Sequence, residues 1–110
     1  MPMRFLHLGV YFEEPGAPTV EAIQGVLNGA TDWYRYSPNC WLIYTNNGPG
    51  IWNKRLKNLP GMTEHASYFI CEVNLQNRSG WLRQSVWDWI NKDRSGGTAS
   101  LGDLMSPRGF

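Results

Sequence analysis

TDWYRYSPNCWLIYT, Thr31 to Thr45, is the stretch whose reading decides the fold. Six of its fifteen residues are Trp, Tyr or Ile, types that favour the pleated, half-buried surface of a strand. Ser37, Pro38 and Asn39 interrupt the run with turn chemistry. The stretch therefore reads as a hairpin, with TDWYRY leading in and CWLIYT leading out. Alternate residues of a strand point to opposite faces. One set of these aromatics must pack into a core, and the other must meet something else.

The flanking segments supply the rest of a small sheet. Met3 to Phe12 alternates, with Leu6, Leu8, Val10 and Phe12 on one side and Phe5, His7, Gly9 and Tyr11 on the other. EEPGAP ends that strand, because Pro15, Gly16 and Pro18 cannot continue one. Thr19 is placed to cap a helix carrying Ala22, Ile23, Val26 and Leu27 as its stripe, with Gly29 as the stop. After the hairpin and NNGPG, the spacing of Ile51, Trp52, Arg55, Leu56 and Leu59 predicts a second helix, stopped at Pro60-Gly61. ASYFICEVNL is a further strand, with Phe69, Cys71, Val73 and Leu75 opposed to Tyr68, Ile70 and Glu72. NRSGWLRQSVWDWINK predicts a third helix, capped by Asn77 or Ser79, whose inward stripe is Leu82, Ser85, Val86, Trp89 and Ile90.

The order β-α-β-β-α-β followed by a helix predicts an α+β, ferredoxin-like sandwich. Its first and third strands are central and its second and fourth are edges. Two helices cover one face, and the other face is open unless the added helix covers it. Residues 1–92 form one domain on this reading. Residues 93–110, rich in Gly and Ser, read as an extended or mobile tail in which Leu101, Leu104 and Met105 are docking candidates.

Composition bounds the function. The chain has 110 residues, 10 Lys+Arg against 9 Asp+Glu, and a net charge of +1, which removes the charge argument for duplex DNA binding. Aromatic residues make up 14%, including 6 Trp, which is enough for both a core and a contact surface. Cys40 and Cys71 lie in strand-like runs without metal spacing and read as reduced thiols. They are expected on strands separated by the first strand, too far apart for a disulfide. No segment has the length of a membrane span, and the amino terminus lacks a signal-peptide pattern, so the setting expected is cytoplasmic.

VYFEEPG at the end of the first strand, the hairpin DWYRYSPNCWLIYT, the helix GIWNKRLKNL and the strand SYFICEV together resemble a small ferredoxin-like family. It includes the CRISPR adaptation protein Cas2 and the short bacterial proteins labelled SinR-like. The resemblance runs from about Met3 to Leu75, by pattern more than by identity. It implies a homodimer and, for some members, a metal-dependent nuclease with an acidic residue at the end of the first strand. Here Phe12 stands at that place, and Glu13 and Glu14 follow it. A magnesium nuclease needs its carboxylate held at a fixed depth, whereas two glutamates beside a Pro-Gly turn read as solvated.

The remaining candidates are contacts rather than catalysts. His7 falls on the open face, with Glu72 expected beside it. Phe5, Tyr11 and Tyr68 are expected to share that face. Lys54, Arg55 and Lys57 form a basic cluster that, with Arg83, Trp52 and Trp87, would make a cationic-aromatic surface. Trp87 is expected to point away from its own helix stripe. The expectation is a small, non-enzymatic, dimeric interaction protein of the defence- or phage-related kind. Its partner would be a protein, a nucleotide or a nucleic acid, with no catalytic residue, metal, cofactor or membrane. The alternative is a Cas2-like metal-dependent endonuclease using Glu13 and Glu14.

Overall fold

A computed structural model describes residues 2–94. The elements are β1 (Arg4–Phe12), α1 (Val20–Leu27), β2 (Asp32–Ser37), β3 (Cys40–Thr45), α2 (Pro49–Leu56), β4 (Ala66–Val73) and α3 (Gln84–Ile90). The fold is α+β, with one four-stranded antiparallel sheet in the order β2-β3-β1-β4. Thus β1 and β3 are central, and β2 and β4 are edges. Leu101, Leu104 and Met105, and the tail from residue 95 onward, lie outside the described residues.

One face of the sheet is sealed by two helices. Leu6, Leu8 and Val10 of β1 and Trp33, Trp41 and Ile43 of the hairpin are buried with Ile23 and Leu27 of α1 and Trp52 and Leu56 of α2. Thr19 caps α1 as its position in the sequence requires, its hydroxyl accepting from the Ala22 amide at 3.1 Å. On α2 the buried stripe is narrower than its spacing suggested. Trp52 and Leu56 are buried, while Ile51 and Arg55 face solvent. The Trp52 indole donates to the buried Thr45 hydroxyl at 3.3 Å, which joins α2 to the end of β3.

Two turns lock together at one end of the sheet. Gly16 and Gly61 both have positive φ, 108° and 82°. A Cβ on Gly61 would lie 2.2 Å from the Gly16 carbonyl oxygen. Only glycine satisfies both the backbone conformation and the spacing.

The second face is covered by α3 and the segment leading to it. Tyr34, Leu42, Val86 and Trp89 form a smaller buried cluster, with Phe5, Tyr36, Tyr44, Val73, Leu75, Leu82 and Ile90 packed around it. The helix is shorter than 77–92. Its N-cap is Arg83, with no side-chain cap bond, so neither Asn77 nor Ser79 caps it. The reason lies in the preceding segment: Arg78 folds back to donate to Leu75 O at 2.7 Å and to the Asn91 side chain, and Leu82 packs on the sheet from outside the helix. Ser85, placed on the inward stripe by spacing, is exposed.

Two polar anchors hold α3 down. Asp32 on β2 accepts from Trp89 Nε1 at 3.0 Å and from Lys92 Nζ at 3.0 Å, while its other oxygen accepts from the Trp33 amide at 2.9 Å. Arg94 closes the end of the helix by donating to Trp89 O at 2.7 Å and Lys92 O at 3.1 Å. Its guanidinium lies over the rings of Trp89 (4.5 Å), Tyr44 (4.9 Å) and Phe5 (5.2 Å). The first two residues of the segment read as tail are therefore described, and the second of them is anchored.

Candidate aromatic interface

Among the described residues the cover over the second face is incomplete, and the gap defines the site. Residues directly opposite in an antiparallel pair share a face. His7 is opposite Leu42 on one side and Cys71 on the other. Gly9 is opposite Cys40 and Phe69, and Tyr11 is opposite Ser67. His7, Gly9 and Tyr11 of β1 therefore share this face with Phe69 and Cys71 of β4. Beyond the reach of α3, Tyr11 is 64% exposed and Phe69 61% exposed. They are diagonal neighbours across the strand pair, a spacing of about 7–8 Å that aromatic side chains bridge. Gly9 leaves a shallow seat between rings: a Cβ there would meet His7 at 3.6 Å and Phe69 at 3.7 Å.

His7 joins this exposed strip to the covered part. Its Nε2 is hydrogen-bonded to the Tyr36 hydroxyl, and its ring lies 5.5 Å from Tyr36 and 6.1 Å from Phe69. Burial lowers the His7 pKa below 6.5, which favours the neutral ring. Burial first, and then the adjacent Cys40 side chain, push the Tyr36 phenol up to about 12. The hydrogen bond holds the two rings together, with the donor set by the His7 tautomer. Next to the pair, a groove of about 220 Å³ opens between sheet and cover. Its floor is His7, Tyr36 and Leu42, its far wall Leu82, Trp87 and Ile90, and Arg78 and Ser79 stand at its edge. One residue from Leu82, Trp81 is 100% exposed.

Several expected positions are corrected. Tyr68 is not on this face. It is opposite Val10, packs toward the α1/α2 core, and its hydroxyl donates to Asn53 of α2 at 2.6 Å. Glu72 is opposite Leu6 and pairs with Arg4 at 3.1 Å, so His7 and Glu72 lie on opposite faces of the sheet. Phe5 does face away from α1 and α2, but it is packed against Tyr44 and Trp89, with centroids 5.0 and 5.9 Å away, beneath Arg94. Trp87 is half-buried against the groove instead of standing free.

The basic cluster does not assemble as expected. Lys54, Arg55 and Lys57 are exposed on α2, and Arg83 is exposed at the start of α3. These helices cover opposite faces, so the sheet separates the two groups. Trp52 is fully buried, and the Arg55 guanidinium covers its ring at 4.7 Å. Glu13 and Glu14 are exposed in the turn after β1. Among the described residues no three His, Cys, Asp or Glu side chains gather in a metal-binding group. Cys40 and Cys71 are free, and β1 runs between their strands. No helix among the described residues is long and apolar enough to cross a membrane.

Phe69 and Trp81 were absent from the expected site. The alternation that paired Phe69 with Cys71 was visible in the sequence, but the face they occupy was not. Trp81 sat in a stretch read as helix. Comparison with family models, curated proteins and solved structures returned no match to the chain.

Proposed function

We propose that the chain is a small non-enzymatic interaction protein that works as a homodimer through the half-covered face of its sheet. One observation carries the reading: Tyr11, Phe69 and Trp81, three large aromatics, stand 64%, 61% and 100% exposed on that face and in the segment that covers it. Aromatic side chains bury ~150–250 Å² each when enclosed. Two copies meeting here would remove roughly 900 Å² of aromatic surface from water, a gross term on the order of 20 kcal/mol at ~25 cal/mol per Å². Association costs ~4–15 kcal/mol. A net charge of +1 puts little repulsion in the way.

The fold reading behind this proposal is the ferredoxin-like sandwich. Its support is the central position of β1 and β3 and the packing of α1 and α2 on one face. The kinship with Cas2-like and SinR-like proteins, and a defence- or phage-related role, rest on the sequence pattern alone. The non-enzymatic part rests on the exposed Glu13 and Glu14 and on a His7–Tyr36 pair that has no acidic partner among the described residues.

Sedimentation equilibrium tests the dimer. The wild type should give about twice the chain mass at micromolar concentration, and Phe69→Glu should weaken the association. A wild type that is monomeric at every accessible concentration overturns the reading. A nuclease assay tests the rest: Mg²⁺- or Mn²⁺-dependent cleavage that disappears in Glu13→Gln, Glu14→Gln would overturn the non-enzymatic assignment.

A further inference from the structure

We propose that Trp81 of each copy inserts into the groove of the other, making the homodimer a reciprocal exchange of two indoles. The inference rests on the dimer reading above and specifies its contact. The groove is lined mainly by Leu42, Val73, Leu75, Leu82, Trp87 and Ile90, an apolar wall suited to an aromatic ring. The groove holds about 220 Å³ of open space. That is below the ~300–1,000 Å³ of most small-molecule pockets. Meanwhile the same chain presents Trp81 with its whole side chain in water. Among the described residues, an exposed Trp stands beside an open apolar groove, and the two are chemically complementary.

Their closeness specifies the symmetry. A two-fold interface brings one surface patch against its own copy, so knob and hole must lie on the same patch. Trp81 adjoins Leu82, which walls the groove, so a two-fold axis passing between them would seat both indoles at once. The strip beyond His7 extends the contact, since Phe69 lies 6.1 Å from the His7 ring and His7 forms part of the groove floor. With Tyr11 and Phe69 added, the aromatics contribute roughly 450 Å² from each copy. Together with the surfaces they cover, this approaches the ~800 Å² per partner of a standard stable interface. The groove also offers a polar stop. The Ser79 hydroxyl at its edge can accept from the indole N–H, and Arg78, already tethered to Leu75 O and Asn91, can donate to a backbone carbonyl of the entering segment.

The test uses the full chain, in wild-type form and as Trp81→Ala and Phe69→Glu, followed by sedimentation over a dilution series. Trp81 is fully exposed, so its removal leaves the core intact, and near-UV circular dichroism checks this. An interfacial Trp of this kind counts as a hot spot. The dimer dissociation constant should rise at least about 30-fold in Trp81→Ala, because both insertions are lost. In wild type labelled with 5-fluorotryptophan, the resonance missing from Trp81→Ala should move as dilution separates the copies. Free indole should bind saturably to Trp81→Ala and, in excess, dissociate the wild-type dimer. A dimer unaffected by Trp81→Ala but weakened by Phe69→Glu would overturn the exchange and leave the homodimer standing. A Trp81 resonance buried independently of concentration would place the indole in its own groove and also overturn the exchange. A wild type monomeric throughout would overturn both proposals.

Discussion

The two faces of this sheet are built by different means. The face under α1 and α2 is closed with aliphatic side chains and Trp: Leu6, Leu8, Ile23, Leu27, Trp41, Ile43, Trp52 and Leu56 are all fully buried. The face under α3 is closed with amphipathic groups held by polar ties. Tyr44 and Trp89 lie under Arg94 there, Trp89 donates to the Asp32 carboxylate, and among the described residues nothing covers Tyr11 and Phe69 at the far end. The first face is stabilised mainly by removing apolar area from water, which needs little directional detail. The second relies on a few hydrogen bonds and a stacked guanidinium, which a single substitution can remove. The difference separates a scaffold from a cover.

The sharpest break in that contrast is Trp52→Ala. It empties a fully buried site on the scaffold face and removes one of two donors to the buried Thr45 hydroxyl, leaving the Asn47 amide at 3.1 Å. Large-to-small changes of this kind cost about 3–5 kcal/mol. Urea denaturation should show a lower midpoint for the whole molecule, with every secondary-structure probe moving together.

Asp32→Ala should act on the cover alone. It removes the acceptor shared by Trp89 and Lys92, at a cost of about 2–3 kcal/mol for a hydrogen-bonded charge. Amide hydrogen exchange should accelerate over residues 84–94 while the central strands keep their protection. If β1 and β3 lose protection equally, the two faces form one cooperative unit and the distinction falls.

The smallest effect is titratable. Burial holds the pKa of His7 below the 6.5 of an unfolded chain, so the unfolded state binds this proton more readily. The His7 contribution is full above 6.5 and is lost as pH falls through the folded-state value. The urea midpoint should drop between pH 7 and pH 5 more in wild type than in His7→Gln. Equal drops would mean that carboxylates alone set the pH dependence.

Much of the fold was legible because periodicity is a strong signal where one side is dry. The alternation of β1, the Thr19 cap and the SPN turn each had a single reading. β4 shows where that logic stops. Its two sets of alternating residues separate cleanly, yet Phe69, Cys71 and Val73, the more apolar set, face α3, while Tyr68 and Ile70 face the main core. When both faces receive cover, apolar content no longer tells inside from outside. The error carried Tyr68 and Glu72 onto the site and left Phe69 off it. The helix from Asn77 failed for another reason. Arg78 reaches back to Leu75 O and forward to Asn91, and the second bond, across 13 residues, is one that no local spacing announces. The basic cluster failed because residues near in type were on helices that the sheet keeps apart.

The ring stack under Arg94 has a consequence for how the molecule is made. Domains form progressively as a chain is synthesised, at about 5–20 residues per second. All four strands and both scaffold helices are present once Val73 has emerged, but Phe5, Tyr44 and the Asp32 carboxylate wait for partners that end at Arg94. The intervening twenty or so residues take roughly 1–4 s to add at that rate. For that interval the nascent sheet carries a bare aromatic face on the ribosome. A molecule that bound the nascent sheet in that interval would do so on the surface that α3 later claims.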